Sequence, residues 1–135
     1  ENKVYACDVR TEEENTAEAR TKGRDAAAKV SLSNMRAQAE LYYSNTNSYG
    51  PVVAACSNGM FADKVTVGGL GDSVSSLSGI VTELACVTGG TITQAGTQSW
   101  RVSARIASGT YWCVDSSGNS TAIPYQKSSS EVLCK

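Results

Sequence analysis

The sequence predicts an α+β fold, a long N-terminal α-helix packed against a small antiparallel β-sheet of about three to four strands. Three observations carry that expectation. Residues 1–45 hold 15 of the 25 charged side chains of the 135-residue chain, in an Ala-rich, helix-forming composition. The remainder is rich in Gly, Ser, Thr and Val, the material of strands and tight turns. From Thr91 onward the apolar pattern changes from a helical period to a strand period, without the strand–helix alternation of a parallel sheet. The length fits one domain with a modest core.

Residues 11–44 contain no proline and one interior glycine, Gly23, so intrinsic preference favours a single long helix. Thr11 with Glu14 fits a capping box, and Glu12–Glu14 place negative charge where the helix dipole favours it. Glu18/Lys22 and Asp25/Lys29 are i,i+4 pairs, each adding only about 0.3–0.5 kcal/mol. Ala28, Leu32, Met35, Ala39 and Tyr42 repeat at 4-3-4-3 spacing and form one apolar stripe, expected to pack on the head. Ala26, Val30, Ala37 and Leu41 form a second stripe on nearly the opposite side. A helix lying on one sheet needs only one. Either small residues are simply tolerated there, or the second stripe faces other subunits.

Residues 44–51 are a polar loop ending in Gly50-Pro51. Gly68, Gly69 and Gly71 mark a corner, and Val74, Leu77, Ile80/Val81 and Leu84 give helical spacing for a short helix within Asp72–Cys86. A short strand is expected near Thr91–Gln94. Trp100, Val102, Ala104 and Ile106 then alternate with Arg101, Ser103 and Arg105, giving a strand with one buried and one wet face. Turns at Ala107-Ser108-Gly109 and Asp115-Ser116-Ser117-Gly118 lead into strands Thr110–Val114 and Ser120–Ile123, the last ended by Pro124.

The composition also restricts the chemistry. There is no histidine, which removes Ser-His-Asp and Cys-His catalysis and imidazole zinc sites. Asp63, Asp72, Glu83, Asp115 and Glu131 show no spacing of an acid/base pair, and no glycine loop precedes a helix to cradle phosphate. Asp115-Ser116-Ser117-Gly118 lacks the oxygen ligands of a calcium loop, and a turn whose Asp bonds its own backbone is the expectation. The sequence points away from an enzyme and calls for no cofactor and no metal. A formal net charge of -1 gives no nucleic-acid signature. Trp100 and Trp112 are expected to fill core or sheet positions. Arg101 and Arg105, with Lys127, are either solvated or a shallow subunit or ligand contact, DNA included. Asn119-Ser120-Thr121 matches the glycosylation triplet, a short pattern that arises readily by chance. Five cysteines without a CxxC pair suggest a disulfide framework in an oxidising compartment. Four of them allow three connectivities, and spacing alone does not choose among these.

Residues 19–43 (Ala19-Arg20-Thr21-Lys22-Gly23-Arg24 through Glu40-Leu41-Tyr42-Tyr43), followed by Gly50, resemble the exposed half of the spine helix of bacterial type IV pilins. Ile106 to Ser120, with Thr110-Tyr111-Trp112-Cys113-Val114-Asp115 at its centre, is similar to the sheet hairpin of disulfide-bearing pilins. The middle third is matched only by Cys56 and Cys86. The resemblance implies a division into a polar segment 1–18, the exposed half-helix 19–45, and a disulfide-clamped β-sheet head 46–135 with a loop region 46–90. It implies that Cys113 pairs with Cys134, pinning the last strand and loop, and that Cys56 and Cys86 then clamp the loop region. Each closure is worth about 3–3.5 kcal/mol in the chain-entropy account. Cys7 is left over.

The function implied is structural. The chain is expected to polymerise into a helical homopolymer at the cell surface, with other pilins as partners, in attachment, motility or DNA uptake. The alternative is a minor pilin or pseudopilin acting as a tip module that binds a host surface or DNA. Pilins begin with an apolar segment of about twenty residues, long enough to enter a bilayer. Residues 1–18 here are polar and include Cys7 and Glu12–Glu14, a replacement or foreign segment by this comparison, so membrane anchoring is expected only through a segment outside this chain.

Overall fold

The computed structural model describes residues 12–89, 97–128 and 131–134, and for residues 12–15 the backbone alone. Its elements follow in chain order: helix α1 (Glu12–Thr46), a single 3₁₀ turn (Gly59–Ala62), helix α2 (Gly71–Ser78), and strands β1 (Thr82–Gly89), β2 (Ser99–Arg105), β3 (Tyr111–Asp115) and β4 (Ser120–Ile123). The strands form one antiparallel meander in the order β1-β2-β3-β4. This is the α+β arrangement of one long helix laid on an antiparallel sheet.

α1 runs without a break through residues 18 and 19, the point where the pilin resemblance begins. Gly23 has open space around it and does not interrupt the helix. Ala28, Leu32, Met35 and Ala39 are fully buried and Tyr42 nearly so. They meet the sheet face of Trp100, Val102, Ile106 and Val114, Met60 and Phe61 of the 3₁₀ turn, Leu70, and Val74 and Leu77 of α2, in one core. Each large aliphatic side chain removed from water there stabilises the fold by about 1.5–3 kcal/mol.

The loop between α1 and β1 is held against the helix by close backbone approach. A Cβ added at Gly68 would lie 2.3 Å from Tyr42 N and 2.7 Å from Gln38 O, and the residue's φ is +86°. Only glycine satisfies both the left-handed conformation and the contact. Asp63 organises the same loop: its carboxylate accepts the backbone N–H groups of Val65 and Thr66 at 2.9 and 2.8 Å. The Thr66 side chain first, and these backbone bonds with it, hold the Asp63 carboxyl below its ordinary range.

The segment 72–86 departs from expectation. α2 ends at Ser78, and Leu84 and Cys86 lie on strand β1. Gly79 caps the helix, and the apolar residues beyond it belong to a strand with a bulge between Thr82 and Ala85, where Glu83 takes a positive φ of 49°. The bulge breaks the strand alternation that would have betrayed β1 in the sequence. The later strands fall where the alternation places them, each within one residue and Ser120–Ile123 without shift. Thr11 and the expected strand at Thr91–Gln94 lie outside the described residues.

Candidate functional site

α1 presents two faces. Opposite its core stripe, Ala26, Val30, Ala37 and Leu41 are all exposed, Val30 at 59% and Leu41 at 46% of their full accessible area. Spacing explains the geometry, since residues 26, 30, 37 and 41 fall on one side of a 3.6-residue helix and the core stripe on the other. Val65 and Val67, on the loop that Gly68 presses against the helix at Gln38–Tyr42, are exposed as well. The strip is therefore a line of apolar side chains along the solvent side of an otherwise charged helix.

The trio Arg101, Arg105 and Lys127 does not form a contact surface. Arg101 is fully buried. Its Nε donates to the carbonyl of Glu131 at 2.7 Å, its Nη2 to the carbonyl of Ser128 at 2.9 Å, and its Nη1 to the Ser103 hydroxyl. Ser103 in turn donates to Gln126 Oε1 at 2.5 Å. The face expected to be wet is covered by the C-terminal segment, whose carbonyls need the donors that Arg101 supplies. Burial lowers the guanidinium's affinity for its proton, and the charges of Glu131 and Asp115 oppose that fall. Lys127 is largely covered and reaches Glu131 Oε1 at 3.4 Å. Arg105 is half-exposed, 4.0 Å from Glu83 Oε2, with Tyr111 donating to the same carboxylate at 3.1 and 3.2 Å.

Two disulfides close the head, Cys56–Cys86 and Cys113–Cys134, spanning 30 and 21 residues. They lie on opposite faces of the sheet. Cys86 pairs in register with Val102 of the helix-facing side, and Cys113 with Ser103 of the other. Cys7 lies outside the described residues.

Asp115 terminates the outer network. Its Oδ1 accepts the backbone N–H groups of Ser117 and Asn119 at 2.9 and 3.1 Å, and its Oδ2 accepts the Asn119 side-chain amide at 2.8 Å and the Cys134 N–H at 2.7 Å. The carboxylate is thus spent on its own turn and on the C-terminal bridge, leaving little capacity for a cation. Asn119, head of the glycosylation triplet, has its amide engaged in the same turn. Trp100 is buried, whereas Trp112 is half-buried with Lys29 Nζ 4.4 Å from its ring centroid. That contact ties the middle of α1 to β3.

The described residues contain no helix long and apolar enough to cross a membrane. No known protein-family model matches the chain, and no significant match occurs among curated proteins or solved structures.

Proposed function

We propose that this chain is a structural subunit of the type IV pilin kind, polymerising through α1 into a surface filament whose outer wall is the disulfide-clamped sheet. One observation carries the reading. α1 buries one apolar stripe in its own head and leaves a second, Ala26, Val30, Ala37 and Leu41, exposed on the opposite side. Exposed valine and leucine aligned along a long helix gain by packing against another helix, and small residues between them permit close approach. The chemistry of such a protein is association, and α1 charges such as Lys22, Arg24 and Asp25 set the register between neighbours.

The test is Val30→Glu, made in the full-length protein in its own cells. Sheared filaments are expected to disappear while the isolated head keeps its melting temperature and near-ultraviolet circular dichroism. Filaments at the normal level would overturn the assignment of this face. The second reading, a tip module that grips DNA or a host surface through Arg101, Arg105 and Lys127, draws less support, because Arg101 and Lys127 are spent on the C-terminal segment.

A further inference from the structure

Beside the exposed strip, a groove of about 610 Å³ opens between α1 and the turn that joins β3 to β4, lined by Ser33, Arg36, Glu40, Trp100, Ser116 and Ser117 among others. Its size is within the range of small-molecule sites. Arg36 and Glu40 stand one helical turn apart, a spacing at which opposite charges ordinarily pair. Here they are held apart. Glu40 Oε2 accepts the Tyr49 hydroxyl at 2.7 Å. Burial first, and the Glu40 contact next, push the Tyr49 hydroxyl above its ordinary value, so it remains a donor to that carboxylate. Arg36 leans the other way, against the turn: a Cβ built on Gly118 would lie 3.4 Å from Arg36 Nη2. Among the described residues no hydrogen bond or ion pair engages the guanidinium of Arg36, a partly buried residue.

The groove therefore offers a fork of unused N–H donors, a carboxylate held by Tyr49 with its second oxygen spare, and three serines in its lining. With no acceptor among the described residues, this guanidinium has its donors left to water, and a ligand that supplies acceptors can take that place. A second unpaired donor adjoins it. Trp100 is fully buried and lines the groove, and among the described residues its indole N–H meets no acceptor at hydrogen-bond distance, although it faces the Tyr49 hydroxyl closely enough to counter that group's rise.

We infer that this groove binds a saccharide, one or two sugar rings in size, whose neighbouring hydroxyls bridge the Arg36 guanidinium and the Glu40 carboxylate. Arg36 stands with two carboxylates in the lining, Glu40 and the buried Asp115 already spent on its own turn, so no net positive field selects a free anion. Vicinal hydroxyls both donate and accept, which suits the alternation of Arg36, the serines and Glu40. Tyr49 fixes Glu40 in advance, so little freedom is lost on binding. The groove borders the Val30/Leu41 strip and shares Ala37 with it, while Arg36 and Glu40 stand on the flank of α1 between the strip and the core face. This inference stands independently of the filament reading.

The experiment is a titration of the ¹⁵N-labelled chain with glucose, galactose, N-acetylglucosamine and N-acetylgalactosamine, and with glycine as a zwitterionic probe. At least one sugar is expected to shift the backbone amides of Ser117 and Gly118 and the indole N–H of Trp100, saturating with a Kd on the order of 1 mM. Arg36→Ala is expected to weaken that binding at least about tenfold, the loss of a charge-assisted contact. Ser117→Trp, a bulky residue on an exposed turn, is expected to block it, and Arg105→Ala, outside the groove, to leave it unchanged. The inference is overturned if no sugar of the panel moves these resonances. It is also overturned if glycine alone moves them, or if Arg36→Ala binds as the parent does.

Discussion

The two faces of strand β2 are both buried, yet by different physics. On the helix side, Trp100 and Val102 lie under Leu32, Met35 and their neighbours, and the contact is apolar area removed from water. On the other side, Arg101 and Ser103 lie under Gln126, Ser128 and Glu131, and the contact is a set of hydrogen bonds from one guanidinium to two carbonyls and a hydroxyl. Each face carries its own disulfide. The helix side tolerates imperfect directions because area has none, whereas the outer side depends on every donor meeting its acceptor. Hence an alternating sequence, which reports polarity, is a poor guide to exposure here.

The largest expected effect falls on the apolar face. Leu32→Ala should lower unfolding free energy by about 3–4 kcal/mol, read by urea denaturation, because a closely packed site collapses only partly around the cavity. Arg101→Ala should cost about 2–3 kcal/mol by stranding the carbonyls of Ser128 and Glu131. Its distinguishing sign is local, with faster amide exchange in residues 126–134 than in α1. Equal loosening of both faces would break the distinction drawn here.

Acid provides a gentler probe. The Ser128 backbone N–H, and after it the Lys127 charge, hold the Glu131 carboxyl below its ordinary value. A carboxyl lowered on folding contributes fully above its unfolded value of about 4.3 and loses that contribution as pH falls through the folded value. Asp63 behaves alike on the other side of the molecule, through Thr66 and Val65. Nuclear magnetic resonance of the two side chains between pH 5 and 2, a range set about the carboxylate reference values, should show both titrating below those values. In Glu131→Gln the outer segment's own pH response should disappear. Persistence of that response would remove Glu131 from the account.

Much of the architecture was legible because its signals are local. The 4-3-4-3 stripe Ala28 to Tyr42 marks the core face of α1, and the Trp100–Ile106 alternation with its following turns marks the meander. β1 was not legible, because Leu84 also fits the helical spacing begun by Val74, Leu77 and Ile80/Val81, and short apolar runs do not separate the two periods. The burial of Arg101 was not legible either. It depends on a segment about thirty residues further along folding back over the sheet, which no local period reports. For the same reason the groove at Arg36 was hidden: its walls come from α1 and from a turn far along the chain. The exposed strip, by contrast, was visible as a second stripe, and the structure adds that it stands in solvent.

The central claim is that this strip is the association surface. Hydroxyl-radical labelling of the full-length protein, before and after assembly, tests it most directly. Val30 and Leu41 are predicted to react readily in the isolated subunit and to become protected in filaments. Undiminished labelling of both side chains in assembled filaments would contradict the account.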